Sequence, residues 1–416
     1  MDLGEISNEG AAKYGKPLEG VKILAAEQMQ ALPFATQLLA RLGAEVVKIE
    51  HPINGESARG ALPSMDDPSG RSVGATFLRN NLNKKSVGID LSTSEGQDLF
   101  LRLVPNFDVV GDNFKPGTME KFGLDYKSIN SKYPNVIVIS ISGFGNSGNS
   151  PYQNWPAYNS VAEAMSGLYD FKRREGEPPA VNPMGAVGDI ATSLFGVIGI
   201  LAALRHRETT GEGQYIDLAM FDCMASLADV AINFHSMGIS REPNPAPYVI
   251  ASFRCSDGYL ILQIVREHQF ENLANLIGRP DWIGDSRFEE RTGWGEHLHS
   301  EIIPALEKWA ENQTRSETSS LLAEANVASG PVLTVPEVVK DPHLEERNMI
   351  VALPRTDGIN EPILIPGNPI KMSKVSEGPE MRVPWVGEHT DEVLTEELGL
   401  SETELENLKK TGIISP

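Results

Sequence analysis

Asp189 is the strongest candidate for a catalytic residue in this sequence. It follows Gly185-Ala186-Val187-Gly188 and opens an apolar stretch that spans residues 190–206. A helix N-terminus stabilises an ionised aspartate, and Gly188 leaves room for a substrate to approach the carboxylate. The ordinary alternative is a helix N-cap, the commonest role of aspartate at such a position, and one residue can serve both roles. Asp189 is therefore a candidate nucleophile.

A glycine-rich segment, Gly143-Phe144-Gly145-Asn146-Ser147-Gly148, has the spacing of a dinucleotide-binding fingerprint. A true fingerprint opens a helix whose N-terminus meets the pyrophosphate, whereas residues 149–151 continue a loop. We therefore expect neither NAD nor FAD. The glycines are interpreted as a flexible loop that lets the backbone approach a ligand.

The histidine pattern predicts neither a metal site nor a hydrolase. His297 and His299 have no third ligand at a recognisable spacing, and their neighbours are typical of a solvated helix face. The sequence contains no Gly-x-Ser-x-Gly elbow and no Ser-His-Asp order. We expect no bound metal.

Length and composition narrow the class of protein. The chain has 416 residues, more than the ~250–300 at which single cores stop growing, so we expect two lobes. A net charge of −21 argues against a nucleic-acid partner but not against a small polyanion held by a local cluster of cations. Cys223 and Cys255 are interpreted as buried, reduced thiols. Since neither a run of ~20 apolar residues nor a signal peptide is apparent, we expect a cytoplasmic protein.

The hydrophobic pattern predicts an α/β fold with a doubly wound, Rossmann-like parallel sheet. Strand-like runs at 21–25, 45–49, 87–91, 107–110 and 136–141 alternate with helical stretches at 34–42, 94–103 and 126–131. A buried helix at 190–206 ends at a turn, and a second helical stretch at 219–237 leads into the Pro-rich segment 243–247, interpreted as a crossing between lobes. A strand pair at 251–265, turning at Asp257-Gly258, and a helical region at 268–328 then predict a smaller α+β lobe. A charged helix at 402–410 ends the chain.

Motifs along nearly the whole chain are similar, in order, to the signatures of one family. They are Pro17-Leu18-Glu19-Gly20-Val21, Pro33-Phe34-Ala35-Thr36, Leu42-Gly43-Ala44-Glu45-Val46-Val47-Lys48-Ile49-Glu50, Asn83-Lys84-Lys85-Ser86, Asn113-Phe114-Lys115-Pro116-Gly117, Gly143-Phe144-Gly145, 207–214 and Gly387-Glu388-His389-Thr390. The chain thereby resembles the class III CoA-transferases (formyl-CoA transferase and carnitine CoA-transferase, the CaiB/BaiF type). Pro156-Ala157-Tyr158-Asn159 and Val335-Pro336-Glu337 make the carnitine-type branch the nearest.

The resemblance implies that coenzyme A moves from an acyl-CoA to a free carboxylic acid, with succinyl-CoA a reasonable donor because it is abundant. Asp189 would attack the donor thioester, and an acyl-aspartyl anhydride and then an aspartyl-CoA thioester would follow. Gln30 would donate a hydrogen bond to the developing oxyanion, and Tyr158 would lie near the acyl group. The alternatives are an ordinary loop amide and a core aromatic residue. No metal or redox cofactor is implied, since CoA is itself a substrate.

The resemblance also implies a CoA site and a mode of assembly. The CoA-binding residues would be His51, Lys85, Ile89, Asn113, Phe114 and Lys121. Phe114 would pack on adenine, with Lys85 and Lys121 near phosphates, although a solvated surface charge is the alternative for each lysine. Family members form interlocked dimers, so a second copy or a related subunit is the expected protein partner. The large lobe would comprise 1–225 and 331–416, and the small lobe 226–330.

The chain departs from formyl-CoA transferase at a few positions, which concern the acid substrate more than the reaction class. His51 and Lys121 replace arginines, Asn159 replaces a glutamate, and the Gly-rich loop that covers the anhydride has no counterpart near 240–248. Two rival functions remain. An α-methylacyl-CoA racemase would need a Gly-His-Asp run where this chain has Ala157-Tyr158-Asn159. A non-catalytic CoA-binding subunit of a heteromeric transferase is the other, and the presence of Asp189 speaks against it.

Overall fold

Strands and helices alternate along most of the chain in the computed structural model, which describes residues 1–171, 173, 176–182, 184–239 and 246–416. The strands are β1 Lys22–Ala26, β2 Glu45–Glu50, β3 Ser64–Asp66, β4 Ser72–Gly74, β5 Lys84–Gly88, β6 Val109–Asp112, β7 Ile137–Ser142, β8 Tyr215–Ala219, β9 Val249–Cys255, β10 Gly258–Ile264, β11 Ala328–Pro331, β12 Ile350–Leu353 and β13 Ile363–Pro366.

The helices of the described residues lie before, between and after these strands. They are α1 Glu9–Ala12, α2 Ala31–Arg41, α3 Ala75–Asn80, α4 Ser94–Leu103, α5 Thr118–Phe122, α6 Tyr126–Asn130, α7 Asn159–Met165, α8 Leu168–Phe171, α9 Val187–Thr210, α10 Met220–Leu227, α11 Asp229–Ser236, α12 Glu267–Leu276, α13 Arg291–Glu296, α14 Ile303–Ala310, α15 Arg315–Glu324, α16 Val335–Val338, α17 Pro342–Glu346, α18 Thr390–Leu398 and α19 Glu402–Lys410.

The main sheet is parallel, as predicted, with the strand order β5-β2-β1-β6-β7-β8. Successive side chains of β1 point to opposite faces, so each face of the sheet has its own core. Ile23 packs in the core that includes Ile200 of α9. Leu24 packs in the core that includes Phe100 of α4. The strand order reverses direction at β1, which pairs with β2 on one side and β6 on the other.

Helix α9 is longer and more apolar than the sequence pattern suggests. By length and composition it could cross a membrane, with a mean hydropathy of 2.0, and half of that window is buried in the protein. This differs from the expectation that no run approaches such a length, because the Ile, Leu and Val residues of α9 are separated mostly by small residues and seldom by charged ones. A core helix can meet the same criteria, and Gly196 and Ile200 of α9 are buried in the core shared with α2.

The described residues divide into two compact units. Met1–Tyr169, Glu177–Asp229 and Pro342–Pro416 form the first unit, which therefore contains both chain ends. Asp170–Gly176 and Val230–Asp341 form the second unit.

The second unit extends further along the chain than the expected boundary at residue 330. Its antiparallel sheet has the order β11-β10-β9, so the pairing of β11 with β10 places residues up to Pro331 in this unit. An ion pair of 2.6 Å between Arg315 and Glu337 then connects α16 to α15. The predicted turn at Asp257-Gly258 is confirmed, since Cys255 pairs with Gly258. Residues 243–245, from the expected crossing between lobes, lie outside the described residues.

Candidate active site

A cavity of about 410 Å³ lies at the carboxyl ends of the strands of the main sheet. Its walls come from residues 28–31 after β1, 113–116 after β6, 141–144 at the end of β7, and the starts of α7 and α9. It opens where the strand order reverses between β1 and β6. In open α/β sheets the crevice at this reversal is the usual ligand site.

Asp189 lines this cavity as the third residue of α9. The N-cap position belongs to Ala186, which has no side chain for capping, so the N-cap interpretation of Asp189 is wrong. Burial, together with the charge of Glu163, raises the pKa of Asp189 to about 6, while Arg79 acts in the opposite direction. Such a carboxyl group is about nine-tenths ionised at pH 7. It is a partly desolvated carboxyl group whose pKa lies close to neutrality.

Glu163 on α7 performs the capping that Asp189 was expected to perform. Its Oε1 accepts the Gly188 N–H at 2.9 Å and the Asn159 amide at 3.3 Å, and the Tyr169 hydroxyl donates to its Oε2. Glu163 is buried. It thus fixes the start of α9 and places a second negative charge near Asp189. Its one signal in the sequence is an acidic residue within the otherwise apolar segment Val161-Ala162-Glu163-Ala164-Met165.

Gln30 and Arg79 form a hydrogen-bonded pair in the same cavity. Arg79 on α3 donates from Nη2 to Gln30 Oε1 at 2.7 Å. Because the Gln30 carbonyl faces Arg79, its Nε2 amide group is left to donate elsewhere, and we find no acceptor for it in the described part of the chain. The preceding residue, Met29, has a left-handed backbone (φ 59°) and donates its N–H to Glu56 at 3.0 Å. Local strain of this kind is often found at functional sites.

The ends of β1 and β6 are joined by a reciprocal amide pair. The Gln28 N–H donates to Asn113 Oδ1, and Asn113 Nδ2 donates to the Gln28 carbonyl, both at 2.8 Å. This pair fixes the two loops that face each other across the strand reversal. Phe114 lines the cavity beside it. The structure therefore brings Asn113 and Phe114 together with Asp189 and Gln30.

A buried charge cluster lies directly beneath the loop after β1. Glu27 accepts a hydrogen bond from Lys84 Nζ at 2.6 Å and one from the Thr36 hydroxyl at 2.8 Å, and its carbonyl accepts from Lys48 Nζ at 3.0 Å. Burial lowers the pKa of Lys84 to about 8, although Glu27 opposes this effect. The cluster anchors the segment that leads into Gln28 and Gln30.

Nearly the whole chain matches one protein family. The sequence profile of CoA-transferase family III matches residues 18–390. The chain belongs to CoA-transferase family III. It is 36% identical to succinyl-CoA:mesaconate CoA-transferase of Haloarcula hispanica over 91% of this chain and 96% of that relative. It is 30% identical to the beta subunit of succinyl-CoA–L-malate CoA-transferase of Chloroflexus aurantiacus, over 96% of this chain and 98% of that subunit.

A solved structure shares this fold. The crystal structure of a CaiB/BaiF family protein from Brucella suis superimposes with a TM-score of 0.79 at 33% identity, covering 92% of this chain and 99% of that one. The protein is therefore an enzyme of the family III CoA-transferases.

Except for Tyr158, the remaining candidate residues of this family III enzyme do not line the cavity. Lys85 is ion-paired with Glu392 at 2.8 Å, and Ile89 is buried in the core. His51 Nδ1 accepts hydrogen bonds from two backbone N–H groups of its own loop. Lys121 lies on α5, exposed. Tyr158, in contrast, is in the cavity wall and 73% exposed, so it is not a core aromatic residue.

The glycine-rich segment of the transferase forms a loop, as expected, and opens no helix. Its backbone is fixed by Asp217 of β8, which accepts the N–H groups of Asn146 and Ser147 at 2.9 and 2.7 Å. This arrangement differs from a dinucleotide site. No group of three metal-ligating side chains occurs in the described ranges.

Proposed function

We propose that this CoA-transferase moves CoA from succinyl-CoA to a free dicarboxylic acid through covalent intermediates on Asp189. One observation carries the proposal. The Asp189 carboxylate lies in the cavity at the strand reversal and accepts no hydrogen bond from a described residue. The acids are suggested by the two relatives, which are named for succinyl-CoA with mesaconate or L-malate.

The proposed reaction conserves one activated acyl bond at every step. Asp189 attacks the thioester carbonyl, which forms a mixed anhydride and releases CoA thiolate. The thiolate attacks the aspartyl carbonyl, which releases the donor acid and leaves an aspartyl-CoA thioester. The acceptor carboxylate then forms a new anhydride and releases the thiolate, which attacks the acceptor acyl carbon and regenerates free Asp189.

Gln30 and Tyr158 have supporting parts in the proposal. The Gln30 Nε2 amide group would donate to the oxyanion that develops on the attacked carbonyl. The hydrogen bond between Arg79 and Gln30 Oε1 orients the Gln30 side chain for this role. Tyr158 would cover the acyl group, because its ring lies in the cavity wall and is exposed. Exclusion of water protects the anhydride from hydrolysis.

We place CoA along Asn113 and Phe114, continuing into an adjoining cavity of about 590 Å³ that shares Lys115, Pro116 and Gln153 with the first. Lys85 is a weaker candidate than the resemblance implied, because Glu392 already pairs with it. Titration of free CoA would test this placement. Phe114→Ala should weaken binding more than Lys85→Ala, and the reverse order would move the site.

Trapping of the acyl-enzyme tests the proposed function. The protein is incubated with succinyl-CoA and hydroxylamine, and its peptides are analysed by mass spectrometry. An aspartyl hydroxamate is expected on Asp189 in the wild type and in the surface control Asp98→Ala, and none in Asp189→Ala. A donor that is turned over without a hydroxamate, while solvent deuterium enters its α-position, would favour the racemase.

We further propose that the enzyme works as an interlocked dimer, with a second copy or a related subunit. Leu194, Ile198 and Leu201 recur at helical spacing along α9 and are all exposed, Ile198 by 62%. An apolar stripe of this kind is typical of a protein interface. A relative that is named as a beta subunit makes a heteromer a second option.

A further inference from the structure

Arg79 is a cation of the cavity that contacts no reacting atom in the proposed steps. It lies in the last turn of α3 and is exposed to the cavity. Its guanidinium forms no ion pair within 4.0 Å with any acid among the described residues. Its one side-chain hydrogen bond there is the bond to Gln30.

The position of Arg79 is fixed from two sides. Gln30 accepts from Nη2 at 2.7 Å, and the Gln37 side chain donates to the Arg79 carbonyl at 2.9 Å. One N–H group of Nη2 is therefore occupied, and the other guanidinium donors bond to no described residue. A guanidinium edge binds a carboxylate through two parallel hydrogen bonds, and an edge held in advance loses less entropy on binding.

The negative charges around the cavity favour a cation at this position. Asp189 and Glu163 both place negative charge near the acyl position, and Asp189 interacts with both Glu163 and Arg79. A dicarboxylic acyl group brings a further negative charge beside them. Without a cation, that second carboxylate would be repelled and desolvated with no compensation.

We propose that Arg79 binds the second carboxylate of the dicarboxylic acid and is the specificity-determining residue of the site. This inference rests on the proposed function. Gln30 would then serve both ends of a short diacid, since its amide faces the reacting carbonyl and its carbonyl holds the arginine that binds the distal carboxylate. A monocarboxylic acyl group would leave Arg79 without an anionic partner.

Selectivity in an Arg79 variant tests the inference. The kcat/KM values for succinyl-CoA and butyryl-CoA are compared in wild type, Arg79→Met, Arg79→Lys and the surface control Arg102→Met, at pH 8, where Asp189 is ionised. Both donors should lose the effect of Arg79 on Gln30, but we expect Arg79→Met to lose about 100-fold or more with succinyl-CoA beyond its loss with butyryl-CoA. Arg79→Lys should recover part of the loss, and Arg102→Met should equal wild type. Equal losses with both donors, or no loss, would overturn the inference.

Binding of free succinate separates this inference from the proposed function. Calorimetry needs no turnover, and succinate should bind wild type and Arg102→Met but not Arg79→Met, with CoA affinity unchanged in all three. Wild type that binds succinate through Arg79 but forms no hydroxamate would refute covalent catalysis and keep the role of Arg79. Succinate binding that survives Arg79→Met would refute that role alone.

Discussion

The raised pKa of Asp189 links its chemistry to the stability of the protein. Burial and Glu163 raise this pKa to about 6, from 3.8. The folded protein therefore binds this proton more tightly than the unfolded chain does. Ionisation of Asp189 costs stability at neutral pH, and that cost disappears as the pH falls from 6 toward 4.

Asp189→Asn should consequently lose activity and gain stability. We expect transfer to fall at least about 1,000-fold, and the free energy of unfolding at pH 7 to rise by about 1–3 kcal/mol. Urea unfolding at pH 7 and pH 4.5 checks this, since the gain should shrink at the lower pH. A variant that is no more stable than wild type at pH 7 would contradict the cost assigned to ionised Asp189.

Glu163→Gln should shift the acid limb of activity. The glutamine carbonyl can still accept the Gly188 N–H, but the negative charge that raises the Asp189 pKa is removed. The acid limb of kcat/KM for succinyl-CoA should therefore move to lower pH. If the limb stays in place while kcat falls, Glu163 acts on structure alone.

Among the secondary-structure elements, the segment that follows β1 is held in place by a buried ion pair. Lys84 and Glu27 are both fully buried and directly paired. Their neighbour Lys85 points to the other face of β5 and pairs with exposed glutamates. Two adjacent lysines on one strand thus have opposite environments, and they make a matched pair of variants.

Lys84→Met should destabilise the protein by about 3–5 kcal/mol, because it removes the closest partner of a buried carboxylate. Lys85→Met should cost about 1 kcal/mol or less, as exposed ion pairs contribute little. Urea unfolding at pH 7 measures both. If both variants lost the same free energy of unfolding, the buried cluster around Glu27 would contribute no more to the stability of the protein than an exposed ion pair does.

The sequence predicts elements best where the pattern of burial follows residue type. α4 and α19 have their predicted bounds, and β1 and β2 lie within one residue of theirs. β5 was predicted to begin at residue 87 but begins at Lys84, because a lysine that is buried by pairing with Glu27 does not look like a strand residue. A helix predicted at 219–237 is two helices, and β8, whose residues are mostly half-buried, was not predicted.

The site follows the same division. Asp189 could be proposed from the local sequence, because it follows a glycine and precedes an apolar helix. Glu163 and Arg79 reach Asp189 only through tertiary structure, from α7 and α3, and no local spacing connects them. Ile89 shows the converse, since a position expected to contact CoA is a core residue.

For the whole molecule, the apolar stripe on α9 predicts self-association. Ile198→Glu should shift the protein toward a monomer in sedimentation or light-scattering measurements, because the stripe would gain a charge at its centre. Leu62→Glu is the matched control, since Leu62 is 85% exposed and lies off the stripe. Wild type that sediments as a monomer at micromolar concentration would contradict the proposed dimer.

The length of α9 also has a consequence for the protein during its synthesis. On the ribosome, α9 emerges after α2 but before β8 and α10, which complete its packing. Until those residues are made, the nascent chain presents a 24-residue segment as apolar as a membrane span. Exposed segments of this kind recruit chaperones or aggregate. The yield of this protein in a cell should therefore depend on chaperone capacity while residues 187–227 are being translated, more than on the stability of the finished fold.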